Sequence, residues 1–161
     1  MSDTLLKGGR VLPGGEADVL VRAGRVAEIG TGLAAGRAEV IDCAGLVVSP
    51  GFVDLHVHLR EPGMEDAETV ETGTRAAARG GFTAVVAMPN TTPPLDDPAV
   101  VSAVLAAGAR AACTVVSAGC ITKGRAGHEL APMGELHGLG VRMFSDDGDC
   151  VDDAGVMRRA L

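Results

Sequence analysis

The sequence predicts an α/β chain in which short strands come first and a parallel sheet follows, and three features carry that expectation. From Gly51 onward, apolar runs of strand length alternate with stretches of helix length. Before Gly51 the runs are short and broken by glycine turns, and throughout the chain Ala, Val and Leu supply most of the apolar mass. Strand and helix in alternation build a parallel sheet with helices outside it, whereas closely spaced strands build a separate β-rich module.

Residues 1–50 read as strands Thr4–Leu12, Asp18–Val21, Arg25–Ile29, Val40–Ile41 and Leu46–Val48, with Ala23-Gly24 as a hairpin break. From residue 51 the expected order is strand Phe52–His58, helix Asp66–Arg79, strand Thr83–Met88 and helix Asp97–Ala109. Strand Ala112–Ala118, helix Ala131–Leu136, strand Val141–Phe144 and a helix opening at Asp152 and running to Leu161 complete it. Gly80-Gly81 stops the first helix, whose Thr74–Ala78 stretch has high helix propensity. Four βα units are visible, whereas a closed eight-stranded barrel takes about 250 residues. The chain is therefore expected to be the N-terminal part of a longer protein. Alone it is expected to expose a sheet edge and to be poorly stable.

A chain of 161 residues that is 47% hydrophobic has enough apolar mass for a core, and with three Phe and no Trp or Tyr that core must be aliphatic. A net charge of −7 lacks the basic footprint of a nucleic-acid or anionic-membrane binder, so neither partner is expected. The N-terminus has no basic segment followed by an apolar h-region, and no run approaches the length of a membrane span; a cytoplasmic location is the expectation. Cys43, Cys113, Cys120 and Cys150 lie far apart without a C-x-x-C, which argues against a zinc knuckle or disulfide framework and for four small buried hydrophobes.

His56 and His58 are the most informative residues. The period of two along a strand turns Val53, Leu55, Val57 and Leu59 to one side and Asp54, His56, His58 and Arg60 to the other. Two imidazoles on one face can bind one metal ion, and Pro62-Gly63 ends the strand just beyond them, where parallel α/β folds keep their sites. The competing reading of H-x-H alone is a solvent-facing pair on an edge strand. Two further strand ends carry polar clusters, Met88-Pro89-Asn90-Thr91 and Ser145-Asp146-Asp147-Gly148. Asn90 is either an amide aimed into a site or part of an ordinary turn before Pro93-Pro94; Asp146-Asp147-Gly148 is either a metal-ligating turn or a turn alone. Thr122-Lys123 ends the third strand with no role singled out, and His128 and His137 read as surface residues. No phosphate-binding glycine loop and no G-x-S-x-G occurs.

Taken together, Asp18–Val21, Arg25–Gly30 and Ser49–His58 resemble the opening of the amidohydrolase superfamily. Within it, Leu59-Arg60-Glu61-Pro62-Gly63, Ala78–Thr83, Met88–Thr91 and Phe144–Gly148 are similar to bacterial dihydroorotases of the longer type, related to the multifunctional enzyme. The resemblance implies the first half of a (β/α)8 barrel over residues 51–161, with residues 1–50 contributing to a small composite β-sandwich. It implies zinc, two ions in a complete enzyme, with His56 and His58 binding the first and Asp147 bridging. It also implies that His58, Arg60 and Asn90 bind substrate, Arg60 and Asn90 through its carboxylate, for which the planar guanidinium fork is suited. The implied reaction interconverts dihydroorotate and N-carbamoyl-L-aspartate in pyrimidine synthesis. The general acid/base Asp and two further zinc histidines are expected on later strands, beyond Leu161, so no catalytic residue is expected within this chain and no activity from it alone. Alternatives are an allantoinase or hydantoinase, which typically lacks an Arg at the position of Arg60, and a non-catalytic partner of aspartate carbamoyltransferase. Self-association is left open.

Overall fold

The computed structural model describes residues 2–161, which divide into two compact units, residues 2–50 and 51–161. The first unit contains β1 (Thr4–Val11), β2 (Glu16–Arg22), β3 (Arg25–Gly30), β4 (Glu39–Asp42) and β5 (Val47–Val48) in one sheet of order β3-β2-β1-β4, with β5 also paired to β1. The β1–β2 and β2–β3 pairs are antiparallel, whereas β4 and β5 run parallel to β1. Ala23 and Gly24 make the β2–β3 turn with φ of 48° and 74°, a left-handed pair suited to a tight hairpin. Leu5, Val19, Leu20 and Cys43 form the buried centre. Gly9 is required there, because a Cβ would lie 2.7 Å from the Val48 side chain. Asp18, also buried, accepts the backbone N–H groups of Gly8 (2.8 Å) and Leu33 (2.9 Å) at an irregularity in β1. Those two donors hold its carboxyl below the usual carboxylate value.

The second unit alternates β6 (Phe52–Val57), α1 (Val70–Arg79), β7 (Phe82–Ala87), α2 (Pro98–Gly108), β8 (Thr114–Gly119), α3 (Met133–Gly138), β9 (Met143–Phe144) and α4 (Ala154–Ala160). Its sheet runs β6-β7-β8-β9 with every neighbouring pair parallel, so all strand C-termini lie at one end. Central β7 is buried on both faces, as parallel sheets require. Val85 and Ala87 pack with Leu59 and Val70, while Val86 and Met88 turn the other way onto Ala118. A further cluster of Leu95, Val101, Val104, Leu136 and Val141 seats α2 and α3.

Three expectations are corrected by the structure, and the burial of the apolar row of β6, which alternation left open, is resolved. The first helix starts at Val70 rather than Asp66, because Thr69 and Thr72 form a reciprocal capping box: the Thr69 hydroxyl accepts the Thr72 N–H and the Thr72 hydroxyl accepts the Thr69 N–H. The fourth strand of this unit is only Met143–Phe144, since the Val141 N–H is spent on the Leu136 carbonyl at the end of α3. The apolar row of β6 is buried only at its C-terminal part: Val57 and Leu59 pack inward, but Val53 and Leu55 are 57% and 60% exposed on an edge strand. Lastly, Cys43 and Cys120 are buried, but Cys113 is half-buried and Cys150 exposed. Burial pushes the Cys120 thiol up to about 12, which leaves it unreactive.

Candidate metal centre

The site forms where the ends of three strands meet. Parallel pairing of β6 to β7 brings His56, in β6, and His58, one residue past it, beside Asn90, which follows β7 after Met88-Pro89. The chain leaving β9 adds Asp147. The loops after β6 and β7 are tied together, with the Thr92 N–H donating to the Pro62 carbonyl at 3.0 Å.

Asp147 is the centre of the contacts. Its Oδ1 lies 3.1 Å from His56 Nε2 and its Oδ2 lies 3.7 Å from His58 Nε2. One ligand atom each from His56, His58 and Asp147 falls within 4.8 Å of the others. The two rings stand 5.3 Å apart, edge to face at 67°, so neither blocks the other's access to a shared point. Two imidazole nitrogens and a carboxylate oxygen are a donor set that zinc accepts, so the residues fit a zinc ion.

Asn90 joins two of these groups: its Oδ1 lies 2.9 Å from His58 Nδ1, and its Nδ2 donates to Asp147 Oδ2 at 2.8 Å. A carbonyl oxygen can only accept, so this bond puts the His58 proton on Nδ1 and leaves the Nε2 lone pair facing Asp147 and any ion between them. Arg60 opens the loop after His58 with φ 60°, a left-handed conformation uncommon for a residue other than glycine, and it makes no ion pair among the described residues. Asp54 does not join the site; its Oδ1 accepts the His56 backbone N–H at 3.0 Å.

Spacing left Asp146 and Asp147 as alternatives, and the structure separates them. Asp146 is 4% exposed and turned toward the end of β8, where Ile121 N–H (2.8 Å), Thr122 N–H (3.0 Å) and the Thr122 hydroxyl all donate to it. Thr122, given no role from sequence, is thus wholly buried against the loop that carries Asp147. Arg125 Nη1 donates to the Asp147 carbonyl oxygen at 2.6 Å and pairs with Asp149 at 2.9 Å. No signal in the sequence marks these contacts, because they cross about 20 residues through a loop without a motif. His128 and His137 are exposed and away from the group. A cleft of about 750 Å³ lined by Phe82, Thr83, Cys113, Thr114 and Val115 lies at the strands' N-terminal ends, opposite the histidines, and carries no charged side chain. No helix among the described residues is long and apolar enough to cross a membrane.

A family model described as dihydro-orotase-like matches residues 45–161. A protein named dihydroorotase from Pelotomaculum thermopropionicum is 50% identical over 98% of this chain, and one of the same name from Streptomyces coelicolor is 52% identical over all of it. The chain spans 38% of the length of each. Among solved structures, an L-hydantoinase (dihydropyrimidinase) from Arthrobacter aurescens superposes with a TM-score of 0.78 at 26% identity, covering 98% of this chain and 37% of that one. The fold is accordingly α/β, with the second unit forming the first four βα units of a (β/α)8 barrel and the first a separate sheet.

Proposed function

The chain belongs to the dihydro-orotase-like family, and on that premise we propose that it forms part of a zinc-dependent cyclic-amide hydrolase that interconverts dihydroorotate and N-carbamoyl-L-aspartate in pyrimidine synthesis. The observation that supports this most is the convergence of His56, His58 and Asp147 within 4.8 Å at the C-terminal end of a parallel sheet. In this reading His56 and His58 would hold a zinc ion, with Asp147 as a further ligand. Bound there, zinc would supply a Lewis acid and an activated water for attack on the ring amide.

The chain's own residues do the rest of the work on this side of the site. Asn90 keeps His58 in the tautomer that presents Nε2. Arg60 offers a planar fork to the substrate carboxylate, a bidentate pairing that a hydantoin without a carboxylate would not use. Asn90, beside His58 and Asp147, is proposed to join Arg60 in holding that carboxylate. The general acid/base in this reading is the Asp that the family resemblance implies, outside the ligand set of His56, His58 and Asp147. The first unit is proposed as one face of a β-sandwich, because Val26, Ile29, Val40 and Ile41 leave large apolar side chains exposed on its strands.

The fold neighbour named as a hydantoinase favours one other reading, hydrolysis of an uncharged cyclic amide. Kinetics on the protein that carries this chain separates the two. Dihydroorotate turnover should vanish with a chelator, return with zinc and fall at least 100-fold in Arg60→Gln. Turnover of hydantoin in preference to dihydroorotate, with Arg60→Gln silent, would overturn the dihydroorotase reading.

A further inference from the structure

We propose that Asp146 is a positioning residue whose buried carboxylate fixes the direction in which Asp147 faces His56 and His58. This rests on the reading of those three residues as metal ligands.

Asp146 is the first residue of the turn that its carbonyl closes onto Asp149, and Asp147 is the second, so fixing the Asp146 side chain and that turn fixes the direction in which Asp147 leaves the backbone. Asp146 has one well-defined place to go. Its Oδ1 accepts the N–H groups of Ile121 and Thr122, and its Oδ2 accepts the Thr122 hydroxyl, whose oxygen in turn accepts the Gly127 N–H at 2.9 Å. Both Asp146 and Thr122 are buried, at 4% and 0% exposure. Withdrawing the carboxylate would strand two backbone N–H groups and a hydroxyl away from water, so the loop has no alternative of similar energy. The Asp146 carbonyl closes the turn by accepting the Asp149 N–H at 2.8 Å, and Arg125 holds the Asp147 carbonyl from the same side. Asp147 is thereby fixed through the preceding side chain and through its own backbone. Only its carboxylate is left outside this scaffold, and that carboxylate meets His56, His58 and Asn90. An ion then finds the oxygens already aimed, which is where preorganisation raises affinity.

Support of this kind is worth about 10- to 100-fold in metal affinity. In calorimetric zinc titration of the chain, Asp146→Ala and Thr122→Val should weaken binding by that factor. Asp146→Asn, which keeps an oxygen for the two N–H groups, should recover most of it, and Glu135→Gln, at an exposed side chain of α3 outside this network, should match the parent. The visible spectrum of bound Co2+ should change in the first two and not in the last. Thr122→Val is nearly isosteric and carries the test if Asp146→Ala does not fold. A lowered melting temperature with parental zinc affinity and Co2+ spectrum overturns the proposal, as does zinc binding that survives Asp147→Asn but not Asp146→Asn. If the parent binds no zinc, the metal-centre reading fails, while the NMR shift of the Asn90 side-chain amide still decides the positioning claim. Its donation to Asp147 should be lost in Asp146→Ala; an unchanged resonance overturns the proposal.

Discussion

Replacing Gly63 by Ala should loosen the candidate site from a position that touches none of its ligands. Gly63 has φ +102°, and a Cβ built there lies 2.1 Å from the Thr92 carbonyl oxygen and 2.6 Å from the Thr92 Cβ. Neither neighbour is the free end of a side chain, so the backbone must move. Two costs add: about 1–3 kcal/mol for a residue with a side chain held in a glycine region, and about 1–3 kcal/mol for overpacking. The sum, roughly 2–6 kcal/mol, lowers the melting temperature by on the order of 10 °C in a unit of this size. The displaced segment is the loop bearing Thr92, two residues from Asn90, so zinc affinity should fall along with stability. Gly134→Ala is the control: it lies in α3 with open space around it, where Ala should stabilise by about 0.5–1 kcal/mol. Differential scanning calorimetry of the two variants gives the comparison. A Gly63→Ala melting temperature within about 2 °C of the parent, with unchanged zinc affinity, would refute the steric argument.

Three further outcomes are expected. Asn90→Ala should weaken zinc binding about 10- to 100-fold with no substrate present, since it removes both the His58 and the Asp147 contact; titration calorimetry without substrate reads this apart from any role toward a carboxylate. Asp18 has a folded-state value depressed below its ordinary 3.8, so its contribution is complete above that value and is lost as pH falls through the lower folded value. Urea melts of the first unit should show this acid loss, and Asp18→Asn should flatten it. Thr69→Ala removes the capping box of α1 and should cost about 1 kcal/mol, seen as faster amide exchange at Thr72 than at Ala78.

The order of elements was legible because apolar runs of strand length and stretches of helix length alternate along the second unit, separated by Gly and Pro breaks. Boundaries were not, wherever a side chain competed with propensity: the α1 start depends on a Thr in the place where a capping box usually has Glu or Gln. His56 and His58 were legible because both lie on one strand end, within reach of a local rule. The resemblance named Asp147 by motif position, but spacing alone could not tell it from Asp146, since the physical difference lies in what Ile121 and Thr122 donate to across the sheet end. The exposure of Val53 and Leu55 was also illegible, because alternation tells which residues share a face and not whether anything covers it.

The paired acids of Ser145-Asp146-Asp147-Gly148 also act as a register mark. Deleting one residue after the pair would leave both acids where they are; deleting one just before it would draw Asp147 into the slot of Asp146 and put Gly148 toward the histidines. An insertion before Ser145 would instead bring Asp146 toward the histidines and offer Ser145 to the three donors, which a hydroxyl cannot all satisfy. A carboxylate is then present on the ligand side after one kind of slip and on the anchor side after the other. Only the native reading frame of the turn fills both places, so the motif tolerates changes of composition around it far better than changes of length.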